Sequence, residues 1–86
     1  MAQSLRDLPN ISTVNERKLI AAGIDSPEAL KELGSREAFL RVREHSDPGA
    51  CLNMLCGLEG AVRGIRWHDL PPEEKAALRD FFRSLT

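Results

Sequence analysis

The sequence predicts an all-α fold, a single compact domain of about five short helices, and three observations carry that prediction. Residues that start and stop helices recur along the whole chain. No segment alternates apolar and polar residues long enough for a strand, and β-branched residues are sparse. The final stretch places Leu78, Phe81, Phe82 and Leu85 at the i, i+3, i+4, i+7 spacing of one helical stripe. The 86 residues suit one domain, 1–86, with a core from residue 5 to 85. That length exceeds the roughly 70–80 residues below which a fold usually needs disulfides or a metal.

Each element has its own punctuation. Leu8-Pro9-Asn10-Ile11 reads as a turn, and only a very short helix fits before Pro9. Ser12 or Thr13 caps the next helix, and Thr13 with Glu16 has the spacing of a capping box. That helix runs to about Ala22 and stops at Gly23. Ser26-Pro27-Glu28 is a second start, with a serine cap, proline at the first helical position and then an acid. Gly34 ends it, and Ser35 opens a third helix to about His45, which Asp47-Pro48-Gly49 breaks. The fourth runs from about Ala50 to Gly64 or Arg66. After the linker Trp67-His68-Asp69-Leu70, Pro71-Pro72 opens the last helix, to about Leu85. Glu73 and Glu74 complement its positive N-terminus rather than forming an acid/base pair.

The fourth helix is the most informative. At 100° per residue, Cys51, Met54, Leu55, Leu58, Val62 and Ile65 share one broad face. Ala50, Asn53, Gly57, Gly60, Ala61 and Gly64 share an adjacent face with little side-chain bulk. Only a narrow strip is left for Glu59, Arg63 and Arg66, so the helix should be central. Three interior glycines would cost roughly 3 kcal/mol against alanine. Close helix packing at Gly57, Gly60 and Gly64, with GxxxG spacing at the last two, would offset that cost. An internal crossing and a partner helix both fit.

Charge and motifs narrow the function. Lys plus Arg number 12 and Asp plus Glu 13, for a net charge of −1. Neither half is basic, so no bulk positive field favours non-specific nucleic-acid binding. Cys51 and Cys56 lie five residues apart, a rise of about 7.5 Å if helical, beyond what a disulfide spans. Their side chains diverge, and His45 and His68 offer no ligand spacing, so no metal or cofactor is expected. There is no phosphate loop or nucleophile elbow, and no catalytic residue is expected. With no apolar run of about 18 residues and no signal-peptide pattern, the chain is expected in the cytoplasm, away from membranes. Arg63, Arg66, Trp67 and His68 form the one local cluster that is both basic and aromatic, a candidate interaction site. Trp67 also suits a core anchor.

The segment Leu8-Pro9-Asn10-Ile11-Ser12, then Glu16 to Ile24 and Ser26-Pro27-Glu28-Ala29-Leu30, resembles the second half of a helix-hairpin-helix unit. Leu52-Asn53-Met54-Leu55, Leu58-Glu59-Gly60-Ala61, Arg63-Gly64-Ile65 and Trp67-His68-Asp69-Leu70-Pro71 resemble the C-terminal domain of the TfoX (Sxy) family of competence regulators. The likeness spans residues 5–85. It implies an all-α domain, distantly helix-hairpin-helix-like in its N-terminal part, and a bacterial role in transcriptional control of DNA uptake beside a cyclic-AMP-responsive activator. The resemblance implies that the family's longer members carry an additional N-terminal domain, which is not expected in this chain.

A phosphate-binding hairpin uses glycines so that backbone N–H groups reach the anion. Here Asn10 and Ser12 stand at those positions, with Arg17 and Lys18 one turn later as weak nucleic-acid candidates. The expectation is therefore a regulatory module whose partner is another protein, a regulator or part of the transcription machinery, with DNA as the alternative. Monomer and homodimer are both compatible with the sequence.

Overall fold

Local caps set the element boundaries in the computed structural model, which describes residues 4–85. The Ser12 hydroxyl accepts from the Asn15 N–H at 3.2 Å and starts α1 (Thr13–Ala21). The Thr13–Glu16 capping box is not formed. The Glu16 carboxylate instead accepts from the Arg6 N–H at 3.2 Å, tying α1 to a single 3₁₀ turn, Leu5–Asp7. The first arm of the expected hairpin is that one turn. Ser26 caps α2 (Pro27–Leu33) by accepting from the Ala29 N–H at 3.1 Å. Gly34, at φ 82°, ends α2 and directly precedes α3 (Ser35–His45). Asp47-Pro48-Gly49 then turns the chain as expected.

The fourth helix is shorter than its sequence suggests. α4 spans Leu52–Arg63, because Cys51 is extended (φ −105°, ψ 174°) and Gly64 is left-handed (φ 77°, ψ 25°). Cys51 therefore caps the helix, and Gly64 ends it rather than lying inside it. A second 3₁₀ turn, Trp67–Asp69, leads to α5 (Pro72–Ser84).

α4 is the central rod. It packs against α2, α3, α5 and the Trp67–Asp69 turn. Seven of its twelve residues are buried, including Gly57 and Gly60. Its Leu55 and Leu58 join Leu19, Ile24, Leu30, Phe39, Val42 and Leu78 from the surrounding elements, all with almost no exposure, in one continuous core. The radius of gyration, 11.8 Å, matches the about 12 Å expected of one domain this long. No helix among the described residues is long and apolar enough to cross a membrane.

Candidate functional site

The turn before α1 is built around Asn10, a left-handed residue at φ 69°. Asparagine visits that region more readily than other side-chain-bearing residues. Its carboxamide joins three distant parts of the chain. Nδ2 donates to the Ile65 carbonyl at 2.9 Å and to the Gly57 carbonyl at 3.3 Å. Oδ1 accepts from the Trp67 N–H at 3.1 Å.

The small-residue flank of α4 makes room for this knot. A Cβ built on Gly60 would overlap Asn10 Nδ2 and lie 2.7 Å from the Ile65 carbonyl oxygen. At Gly57 the nearest atom, Asn10 Cβ, would lie at an ordinary 3.5 Å. The segment nestled against the glycines is thus a side-chain amide and a chain reversal, not a second helix. Gly64 belongs to a different category. Nothing lies within 4 Å of its built Cβ, and its left-handed φ lets the Ile65 N–H close back onto the Gly60 carbonyl at 2.9 Å. The expected packing role of Gly64 is corrected to that of a helix-ending residue.

The basic-aromatic cluster divides in space. The Arg63 guanidinium pairs with Glu59 at 2.5 Å and with Glu74 of α5 at 3.0 Å. Glu59 also accepts from the hydroxyl of buried Ser35. Burial pushes the Glu59 carboxyl up, but the Ser35 hydroxyl and the Arg63 guanidinium outweigh it and hold it below the usual range. Trp67 is half-buried. Its ring lies 4.0 Å from that of His68, tilted 31°, and the Lys75 ammonium sits 5.7 Å from its centre. Lys75 also donates to the His68 carbonyl at 3.1 Å. Arg66 and His68 are exposed, and Arg66 pairs with no carboxylate among the described residues.

Asn10, Lys18, Gly57 and Trp67, singled out for three different reasons, line one cleft of about 470 Å³. Asn15, Asp47, Cys51, Asn53 and Met54 line it too, and none of them was a sequence candidate for binding. Lys18 donates to Asp47 at 2.6 Å, and that bond holds the Asp47 carboxyl below its ordinary range. Ser12 is exposed and used as the α1 cap, and Arg17 is exposed. Cys51 is exposed, whereas Cys56 is buried, and burial pushes its thiol up. Among the described residues no three His, Cys, Asp or Glu side chains gather as a metal cluster.

The sequence matches the family described as the TfoX C-terminal domain over residues 1–82. The chain belongs to that family. It is 36% identical over 84 residues to Protein Sxy of Escherichia coli (strain K12), covering 98% of this chain and 40% of Sxy. It is 34% identical over 74 residues to the DNA transformation protein TfoX of Haemophilus influenzae, covering 86% of this chain and 34% of TfoX. The chain therefore spans well under half the length of these relatives. An uncharacterized protein from Listeria monocytogenes, solved as a triclinic crystal form, shares 51% identity and superposes with a TM-score of 0.93. That match covers 96% of this chain and 93% of the other.

Within this TfoX C-terminal domain, the residues the sequence missed lie far apart along the chain. Asp47 meets Lys18 across 29 residues, and Ser35 meets Glu59 across 24. The one local signal was Pro9-Asn10, a dipeptide that marks a turn able to seat asparagine at positive φ.

Proposed function

We propose that this TfoX C-terminal domain is a non-enzymatic regulatory module in the control of DNA uptake, acting through contacts with another protein. The observation that carries the protein-binding part is the use made of the hairpin turn. A phosphate cradle needs free N–H groups and uncommitted cations at a helix start. Here the Asn10 amide binds the chain's own backbone, the Ser12 oxygen caps α1, and the Lys18 ammonium is paired with Asp47. Among the described residues, Arg17 is the only one of the four nucleic-acid candidates left uncommitted. A net charge of −1 adds no long-range pull on a phosphate backbone. The regulatory part of the reading rests on the named relatives, one of which is a DNA transformation protein.

Two measurements test it. Anisotropy of labelled duplex DNA at about 50 mM salt should stay flat as the chain is added, because few phosphates can be neutralised. Salt-sensitive binding would transfer the reading to a nucleic-acid module. Deleting the gene in its host should change transcript levels of DNA-uptake genes, and unchanged transcripts would remove the regulatory reading.

A further inference from the structure

We infer that the groove between α3 and α5 is a docking surface for an acidic amphipathic helix of a partner protein. This rests on the reading of the domain as a protein-binding module and gives that partner a chemistry.

Both helices pack on α4, and each carries an i, i+3, i+4, i+7 stripe. On α3 the stripe is Arg36, Phe39, Leu40 and Arg43, and on α5 it is Leu78, Phe81 and Phe82, continued by Leu85 at the C-cap. The two helices meet through side chains: the Phe39 and Phe82 ring centres lie 5.9 Å apart, tilted 58°. Phe39 is buried, while Phe81, Phe82 and Leu85 stay half-buried along the seam.

Two arginines line that seam. The Arg36 guanidinium lies 5.7 Å from the Phe81 ring centre, and Arg43 lies 5.9 Å from the centres of both Phe39 and Phe82. Neither takes part in a salt bridge among the described residues. Two carboxylates on this side are engaged elsewhere: Glu37 pairs with Arg41, and Glu59, which feels the Arg36 charge, is held by Ser35 and Arg63. A guanidinium at cation–π distance from a ring keeps its N–H fork, which matches a carboxylate in bidentate fashion.

The surface is therefore a half-buried apolar seam with two arginines that form no salt bridge among the described residues. An amphipathic helix with acids flanking an apolar stripe satisfies both parts at once. A phosphate backbone would satisfy the arginines alone and leave Phe81, Phe82 and Leu85 uncovered.

The test uses the full chain and a synthetic amphipathic helical peptide with a leucine stripe flanked by glutamates. A lysine-flanked version of the peptide and a DNA duplex serve as comparisons. The glutamate peptide should bind, with NMR shift changes confined to α3 and α5. Arg36→Gln with Arg43→Gln should weaken it about tenfold or more while the urea midpoint stays near that of the parent. Binding no tighter than the lysine peptide, shifts elsewhere on the domain, or duplex binding abolished by the same double variant would each overturn the proposal. If the double variant unfolds, the shift map on the parent chain decides. A host that responds to gene deletion but not to the double variant would remove the groove and leave the regulatory reading standing.

Discussion

Replacing Asn10 by alanine removes a knot that holds three segments together, and the structure sets its size. The carboxamide makes two well-formed bonds, to the Ile65 carbonyl at 2.9 Å and from the Trp67 N–H at 3.1 Å, and a longer one to the Gly57 carbonyl at 3.3 Å. Counting about 1 kcal/mol net for each of the two short bonds gives about 2 kcal/mol. Alanine at φ 69° adds about 1 kcal/mol of backbone cost. Asn10→Ala should therefore lose about 3 kcal/mol, out of the roughly 4–13 kcal/mol that a domain this long possesses. Asn10→Gly keeps the backbone free and should lose about 2 kcal/mol. Asn10→Asp can still accept from Trp67, but its second oxygen then faces two carbonyls. It should be destabilised at neutral pH and recover as acid protonates it, because that repulsion raises its folded pKa. Urea titrations followed by the fluorescence of Trp67, the single tryptophan, measure all three. An Asn10→Ala loss below about 1 kcal/mol, or an Asn10→Gly variant as stable as the parent, would refute the argument that this amide anchors the turn.

The glycines of α4 should separate on substitution by alanine. Gly57→Ala meets only ordinary contacts and should be neutral or gain up to about 1 kcal/mol, Gly64→Ala should lose about 1 kcal/mol from its φ of 77°, and Gly60→Ala should lose about 2 kcal/mol or more. Melting curves that place Gly57→Ala last would reverse the packing scheme. For acid stability, the Glu59 carboxyl is held below its ordinary value of 4.5 in the fold, so its contribution is fully present above that pH and is lost as pH falls through the lower folded value. Glu59→Gln should therefore lose less stability than the parent between neutral pH and pH 3, read as the change in urea midpoint. An equal loss in both would show that this carboxylate does not contribute to the acid response.

What was legible in the sequence was local. Ser12, Ser26-Pro27, Gly23 and Gly34 each act within one turn of themselves, so their spacing alone placed α1, α2 and α3. The central position of α4 was legible too, because its composition left almost no polar face. The occupant of its bare flank was not. Asn10 reaches Gly57, Ile65 and Trp67 across 47, 55 and 57 residues, and no periodicity records such a meeting. Gly60 and Gly64 share one spacing that suits both a helix crossing and a helix end. Only the backbone at Gly64, left-handed just past Arg63, separates the two. The cluster from Arg63 to His68 was contiguous in sequence for a related reason. Because the helix stops inside it, Arg63 turns to Glu59 and Glu74 while Trp67 turns to the cleft.

The same stop connects the two ends of the functional argument. Gly64 reverses the chain, Asn10 fixes the reversed strand of backbone at Ile65 and Trp67, and the Trp67–Asp69 turn then delivers the chain to α5. Lys75 on α5 returns to the His68 carbonyl, and Glu74 returns to Arg63, so the start of α5 is held from both sides. The rotation of α5 decides whether Phe81 and Phe82 reach the rings and arginines of α3, since a helix turned by one residue moves each side chain by 100°. The hairpin turn in this chain is thus committed inward, as the clamp that sets α5 and with it the seam where Phe82 meets Phe39 of α3. A turn cannot hold its own backbone with the Asn10 amide and also offer that amide to a phosphate.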